Sequence, residues 1–542
     1  SEYHYEYEKK KKSFGRSTTT VTETLKENVV GGVIDAGGDV LINARKSGDT
    51  LITENSGNVN IVGGIVRGGK DVVISADEDI NVTGATYSEL DFYSKSKSGF
   101  GGLTGKEAGQ VQEDSKLAAA MIAAQGGDVS LISGNNMSLV GTDLIADGDI
   151  NLEAVDQILI SAGEVVSQSE SWSKKSGFFS GGDFYSSSER KAGESVTGAQ
   201  ASTVTAGGNV NINAGSAKVI GSDIHGETGV DINTDIGDLE VLAARTTTES
   251  YSYEKDMSIG FGDLAEGLSR PDQLIKNEDG RATIKLADAT YDEVDTKTQA
   301  VDHRGSTVTS GGNVNLTSAE NILIEGSHIA ADVNDAGQGD VNFAAGNNVT
   351  IKEATDTYDS DTKEIHGKAE LSVVVQHQAV EVAKALIAVD EAKDQLEQAK
   401  KDYKKYEKDL DNLQKTLTEL EADYANKTPG VSYEDVLELR ELVDDVKGDK
   451  EWYVAGIALA AVNLTSKVTA LAQQTAAAAQ STATYGFNAG VQLDIEASKT
   501  TTSIKETTAV ASTVSGNNIN IQTGVGKGSA EGTSTNIGGS HL

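Results

Sequence analysis

Residues Gly207 to Ala214 read Gly-Gly-Asn-Val-Asn-Ile-Asn-Ala, and the phrase returns along the chain. Gly37 to Ala44 is GGDVLINA, Gly126 to Ile132 is GGDVSLI and Gly311 to Ser318 is GGNVNLTS. Looser copies start at Gly69, Gly148, Gly339, Gly346 and Gly516. Within each copy apolar residues alternate with polar ones, as Val210 and Ile212 alternate with Asn211 and Asn213, so each copy is a short strand with one buried face. Gly, Asn and Asp stand just before it, and these residues tolerate positive φ with least strain. A tight corner therefore precedes every strand.

The spacing of the corners sets the architecture. Val129 to Ile150, Val210 to Val230 and Val40 to Val59 are each separated by about 20 residues, room for two or three short strands and their corners. That path is one coil of a parallel β-solenoid, whose stacked coils pair every backbone group with the coils above and below. A β-sandwich of antiparallel hairpins also shows short alternating strands, but its turns vary, whereas here one corner type recurs at a coil-like period. Asn209, Asn313, Asn347 and Asn517 at those corners fit side-chain ladders along the axis and fit plain turn formers equally. With roughly 430 non-helical residues in coils of about 20, the shaft extends to about 100 Å, less whatever the excursions take.

Composition agrees with a narrow core. The 542 residues hold 59 Gly, two Pro, no Cys and 5% aromatics, and 83 acidic side chains face 46 basic ones for a net charge of -37. Disulfide frameworks and Cys-based metal sites are excluded. The charge repels phosphate, so nucleic acid is not an expected partner. The first residues, SEYHYEYE, lack the basic start and apolar run of a signal peptide, so the sequence reads as either a cytoplasmic protein or an internal piece of a longer one, and the internal piece is the favoured reading.

A longer period overlies the short one. Segments rich in Ser, Lys, Tyr and Gly with a Phe-Gly or Gly-Phe step occur at Lys9 to Gly15, Tyr93 to Gly102, Trp172 to Gly182 and Tyr251 to Gly262, about 80 residues apart. The unit is thus two or three coils plus an extended excursion, lying along the shaft or protruding from it. Phe100, Trp172, Phe178, Phe179, Tyr251, Tyr253 and Phe261 interleave with Ser, Gly and Lys there. Two uses fit them: amphipathic strands contacting a membrane or partner, and edge strands covering the solenoid.

Between about Gln376 and Ser481 Gly almost disappears and Ala, Leu, Glu, Lys and Gln take over. Apolar residues recur in steps of three and four from Val382 to Tyr424, the seam of a coiled coil about 65 Å long. NKTPG at Asn426 to Gly430 breaks it, and a second series runs from Val436 to Leu471. Two nearly equal helices joined by a short turn imply an antiparallel hairpin that leaves the solenoid and returns to it. A rigid spacer or end-cap and a projecting, partner-binding arm both fit. The whole reads as a mainly β chain: a right-handed parallel β-solenoid (β-helix) with excursions over residues 1–375, an inserted long antiparallel α-helical coiled-coil hairpin over 376–481, and a return to solenoid with a flexible Gly/Ser-rich end over 482–542.

The nested periods, with a Lys-Ser-Gly-Phe excursion, a Thr/Ser-rich stretch and paired Gly-Gly-Asp/Asn-Val strands, resemble the haemagglutinin repeat of two-partner secretion exoproteins. That group includes filamentous haemagglutinin adhesins and contact-dependent growth inhibition proteins. The resemblance covers roughly residues 1 to 370 and resumes in YGFNAGVQLDIEASK at Tyr485 to Lys499 and at Gly516 to Ile521. It implies a secreted β-helical fibre at the surface of a Gram-negative cell, associated with the outer membrane and exported through an outer-membrane transporter. It further implies a non-catalytic stalk or translocation segment that helps carry a C-terminal toxin to or across the target-cell outer membrane, with an adhesin fibre as the alternative. The target-cell outer membrane or a surface receptor is then the second partner.

Catalytic signatures fail on their residues. GFGGLTGK at Gly99 to Lys106 resembles a phosphate loop, but Phe100 stands where the first Gly is required and Glu107 follows the Lys. The seven His are scattered, and in the calcium-loop-like run Asp332 to Gly337 the position needing Glu is Phe343. The expectation is no enzyme, no cofactor, no metal and no small-molecule substrate.

Overall fold

The computed structural model describes residues 1–12, 16–45, 57–99, 104–178, 183–260, 276–278, 281–334, 337, 339–377, 381–425, 450–480, 487–526 and 532–539, and between 425 and 450 residues 436, 439, 440, 443, 446 and 447. Its shaft is built from parallel sheets. One has nine strands, from Val33–Ala36 to Thr513–Ser515, and a sixteen-stranded one supplies the other two walls. One coil runs through Ala120–Ala124, Val129–Ser133 and Met137–Val140, and the next through Thr142–Ala146 and both halves of Ile150–Ser161. Val129 lies opposite Ile150, so that coil takes 21 residues, as the corner spacing predicts. Val40 pairs with Val72 and Val59 with Ile80, so the 19-residue step from Val40 to Val59 joins two walls of one coil and is not a coil period.

Nine coils at about 4.8 Å make a shaft of only about 38 Å. The longer estimate from residue number fails because nearly half of the chain leaves the shaft. The interior is a column of Val, Ile, Leu and Ala, with Phe343 its largest fully buried side chain. Each Val, Ile, Leu or Phe side chain there contributes about 1.5–3 kcal/mol on burial, and each Ala less.

Beside this apolar column runs a buried hydroxyl ladder. Thr142, Ser202, Ser222, Ser306, Ser327 and Ser512 occupy one position in successive coils and are all buried. Each hydroxyl accepts the backbone N–H of the preceding coil where the ladder is continuous: Ser222 N to Ser306 Oγ, Ser306 N to Ser327 Oγ and Ser327 N to Ser512 Oγ are each 3.2 Å. Each then donates to a strand carbonyl, as Ser306 does to Leu242 O at 2.7 Å. Amide ladders run outside the walls. Asn315 donates to Asp231, Asn342 to Asn315 and Asn520 to Asn342. Of the corner asparagines, Asn209 accepts from Thr228, Asn313 accepts from the backbone of Asp340, Asn347 donates to Glu320, and Asn517 donates its main-chain N–H to Gly339 O.

The excursions are long β-hairpins. Their strands are Glu2–Lys12 and Arg16–Lys26, Ala85–Gly99 and Thr104–Ala118, Gly163–Phe178 and Tyr185–Gln200, Ala244–Gly260 and Arg281–Arg304, then Ala354–His377 and Phe487–Val510. They do not cover the solenoid as edge strands. Each hairpin pairs with the next, in one antiparallel sheet separate from the shaft sheets. Strands of 15 to 24 residues reach about 50 to 80 Å.

Two coils separate consecutive hairpins, and strand spacing explains why. A hairpin is two strands wide and two coils advance by two strand spacings, so hairpins leaving every second coil meet edge to edge without shear. Coils that lack a hairpin between them are joined directly through Gly63, Gly141, Gly221 and Gly326, with φ of 56°, 58°, 54° and 57°. These positions need glycine twice over, because the left-handed backbone disfavours a Cβ and the base of a hairpin fills the space. A Cβ at Gly221 would lie 2.2 Å from that of Ala244, and one at Gly326 would lie 2.6 Å from that of Ala354.

The helices, Glu381–Ala425 and Lys450–Gln480, follow the first strand of the fifth hairpin and precede its second. The insertion thus departs from a hairpin tip and not from the solenoid itself. Tyr406 stacks on Tyr453 with centroids 4.7 Å apart, Asn463 bonds Gln395 at 3.1 Å and Arg440 bonds Glu421 at 2.6 Å. Partner numbers fall as the first helix rises, the order of an antiparallel pair. Lys467 Nζ caps the carbonyl of Val491 at 3.2 Å, tying the second helix to the outermost strand.

Candidate functional site

Strand alternation and cross-strand register place each hairpin side chain on one of two faces. Tyr5 lies opposite Glu23, Glu23 opposite Phe92, Phe92 opposite Val111 and Val111 opposite Glu170. Trp172 and Phe178 share the face of Glu170, Phe178 pairs with Tyr185, and Trp172 pairs with Lys191, which pairs with Tyr253. The face therefore gathers Tyr3, Tyr5, Tyr7, Phe92, Trp172, Phe178, Tyr185, Tyr251, Tyr253 and Tyr291. Its reverse mixes Ser and Thr with charged side chains such as Lys95, Lys97 and Lys106, and with Tyr87, Tyr93 and Tyr358, and hydroxyls meet there across strands, as Thr296 meets Thr362 at 3.1 Å.

The aromatic rings are seated at the seams between hairpins. The indole of Trp172 crosses Gly109, its Cζ2 2.2 Å from where a Cβ there would stand, and the ring of Tyr251 crosses Gly193 at 2.4 Å. Phe92 leans on Trp172 with centroids 5.9 Å apart, and Phe178 packs on Tyr185 at 5.1 Å and on Phe184 at 5.5 Å. Charged pairs are interleaved with the rings: Lys174 and Lys191 both reach Glu189, at 3.3 and 3.8 Å, and Lys255 lies 5.5 Å from the centre of the Tyr291 ring. Of the residues singled out from sequence, Trp172, Phe178, Tyr251 and Tyr253 are brought to this one face. Phe100, Phe179 and Phe261 lie outside the described residues. Phe92, Tyr185 and Tyr291 were missed, although parity within each strand would have selected them.

The polar reverse holds a shallow concavity of about 440 Å³, its walls formed chiefly by Gln110, Gln112, Ser169, Ser171, Glu194 and Ser250. Electrostatic perturbations are structural. Burial lowers the pKa of Lys285, but the carboxylates of Asp288 and Glu370 outweigh it and leave the ammonium above its ordinary value. Hydrogen bonding to Glu89 raises Lys116, and to Glu23 raises Tyr3. Among the described residues no three His, Asp or Glu side chains gather to hold a metal, and no helix is long and apolar enough to cross a membrane.

The hemagglutinin repeat model matches residues 13–112, 102–185, 184–268 and 287–404. The chain is 29% identical over 173 residues to the tRNA nuclease CdiA of Escherichia coli (strain STEC_O31), which is 30% of this chain and 5% of that protein. It is 32% identical over 177 residues to the tRNA nuclease CdiA of Yersinia mollaretii, 31% of this chain and 6% of the relative. A hemolysin of Proteus mirabilis is 22% identical over 348 residues, 59% of this chain and 21% of the relative. The chain thus spans only a small part of the curated relatives it matches. No solved structure matches it.

Proposed function

The chain belongs to the hemagglutinin repeat family, and on that premise we propose that it is a non-catalytic stalk or translocation segment of a secreted, contact-dependent toxin-delivery protein. The observation that carries the proposal is the pairing of five hairpins into one sheet that stands off a short solenoid and displays aromatic side chains on one face. A shaft gives length and stiffness, and the sheet gives a broad contact surface; neither requires catalytic chemistry. Matches to CdiA proteins over this region support the delivery reading. In it an outer-membrane transporter exports the chain, the fibre remains associated with the outer membrane, and Trp172, Phe178, Tyr251 and Tyr253 meet the target-cell membrane or a receptor. The helix pair acts as a coiled-coil hairpin that caps the outermost strand of the sheet through Lys467. An adhesin fibre is the second reading, favoured by the same half-buried aromatic face.

The test is competitive killing by bacteria that express the full-length parent, intact or lacking residues 1–542. Loss of killing with surface display and target binding retained is the expected outcome. Unchanged killing overturns the delivery role, and loss of target binding assigns the segment to adhesion.

A further inference from the structure

We propose that the aromatic face of the hairpin sheet is a stacking platform for an extended, uncharged glycan lying across the strands. The proposal rests on the reading of this face as the contact surface and names the chemistry of what it contacts.

The first strand of the second, third and fourth hairpins each brings aromatic side chains to this face: Phe92, Trp172, and Tyr251 with Tyr253. Equivalent strands of adjacent hairpins are two strand spacings apart, about 10 Å. That is close to the advance of two sugar rings along an extended β-linked glycan, so alternate rings of one such strand meet the Trp172 and Tyr251 platforms, while Phe92, its centroid 5.9 Å from that of Trp172, widens the first of them. Trp172 and Tyr251 are laid over Gly109 and Gly193 instead of standing off the sheet, the arrangement that turns a ring's face outward. Between the platforms of the central pair stand Glu189 and Lys191, which supply an acceptor and donors for sugar hydroxyls.

The same interleaving disfavours a lipid occupant. Pressing this face into hydrocarbon buries the Lys174, Lys191 and Glu189 charges, which is unfavourable for each Lys near the membrane midplane. The net charge of -37 disfavours sulfated or phosphorylated chains. A neutral glycan meets both conditions, since it presents an apolar C–H face to the rings and hydroxyls to the charged pairs.

The chain has two tryptophans, so in the full chain carrying Trp452→Phe the emission reports Trp172 alone. The probes are cellohexaose, β-linked mannohexaose, α-linked maltohexaose, heparin, and phosphatidylcholine vesicles with and without phosphatidylglycerol. A saturable change with the extended β-linked hexasaccharides is expected, weaker with the coiled α-linked one. Joint Tyr251→Ala and Tyr253→Ala substitution should raise Kd by at least about tenfold. Joint Tyr251→Phe and Tyr253→Phe substitution keeps the rings at the seam and should preserve binding, which separates loss of a platform from loss of the fold. Absence of any response to the neutral hexasaccharides, or a response to heparin or vesicles alone, overturns the proposal. Binding is read on purified protein, so its failure leaves the killing assay free to succeed or fail by itself.

Discussion

Gly221→Ala tests the claim that hairpin bases lock the direct coil-to-coil corners. The added Cβ meets two penalties. A left-handed backbone, φ 54° here, costs a non-glycine residue about 1–2 kcal/mol. The 2.2 Å approach to the Ala244 Cβ is far inside van der Waals contact, and relieving such overpacking costs about 1–3 kcal/mol. Reduced freedom of the unfolded chain returns about 0.4–1 kcal/mol. The net loss is about 1–4.6 kcal/mol. A stacked-coil shaft unfolds in segments, so a global midpoint is the wrong measure. Amide hydrogen exchange of Val219, Ile224 and Val230, three buried shaft residues next to this corner, reads the local opening directly. At one decade per 1.4 kcal/mol, exchange there should accelerate by about 5- to 2,000-fold. Gly38→Ala is the control, because a Cβ at Gly38 meets nothing within 4 Å. If Gly221→Ala leaves exchange near Val219 within about twofold of the Gly38→Ala protein, the argument from the corner is refuted.

Ser306→Ala should remove both an acceptor for the Ser222 amide and a donor to Leu242 O in a fully buried setting, costing about 2 kcal/mol or more, read as faster exchange at Ser222. Lys285 gives a pH-dependent case. Its folded pKa lies above the unfolded value, so its contribution is fully present below about pH 10.4 and is lost as pH rises through the folded pKa. Denaturant unfolding of the Lys285→Gln protein should therefore show a deficit against the parent at pH 7, under about 1 kcal/mol after solvent screening of this half-buried triad with Asp288 and Glu370, that shrinks at pH 11. A deficit independent of pH would assign the effect to packing.

The parallel shaft was legible because each strand's evidence is local. In GGNVNINA the corner and the buried face are both written within eight residues, and Val210 opposite Val230 repeats the same information one coil on. The hydroxyl ladder was not legible, because Ser222 and Ser306 are 84 residues apart and a lone Ser before a strand reads as turn chemistry. Its meaning appears only when the coils are stacked. The helices were legible from their period, but their point of departure was not. The run before them, Ala354–His377, is a hairpin strand whose partner, Phe487–Val510, lies beyond the whole insertion.

The aromatic face shows how a site can be half written in sequence. Trp172, Tyr251 and Tyr253 announce themselves as large rings among Ser, Gly and Lys, yet whether they share a surface depends on register between strands far apart in the chain. Trp172 and Tyr253 share a row because both pair with Lys191, one across a hairpin and the other across a seam. A one-residue slip at that seam would send Tyr253 to the opposite face. What fixes the register is the shaft: consecutive hairpins are anchored two coils apart, so the strand spacing that stacks the coils also aligns the hairpins. Gly109 and Gly193 then gain their purpose, since each lies directly beneath a ring from the neighbouring hairpin. An isolated Gly inside a strand normally weakens it. Here it makes room for the ring that closes the seam, which couples the positions of the aromatic platforms to the integrity of the sheet that carries them.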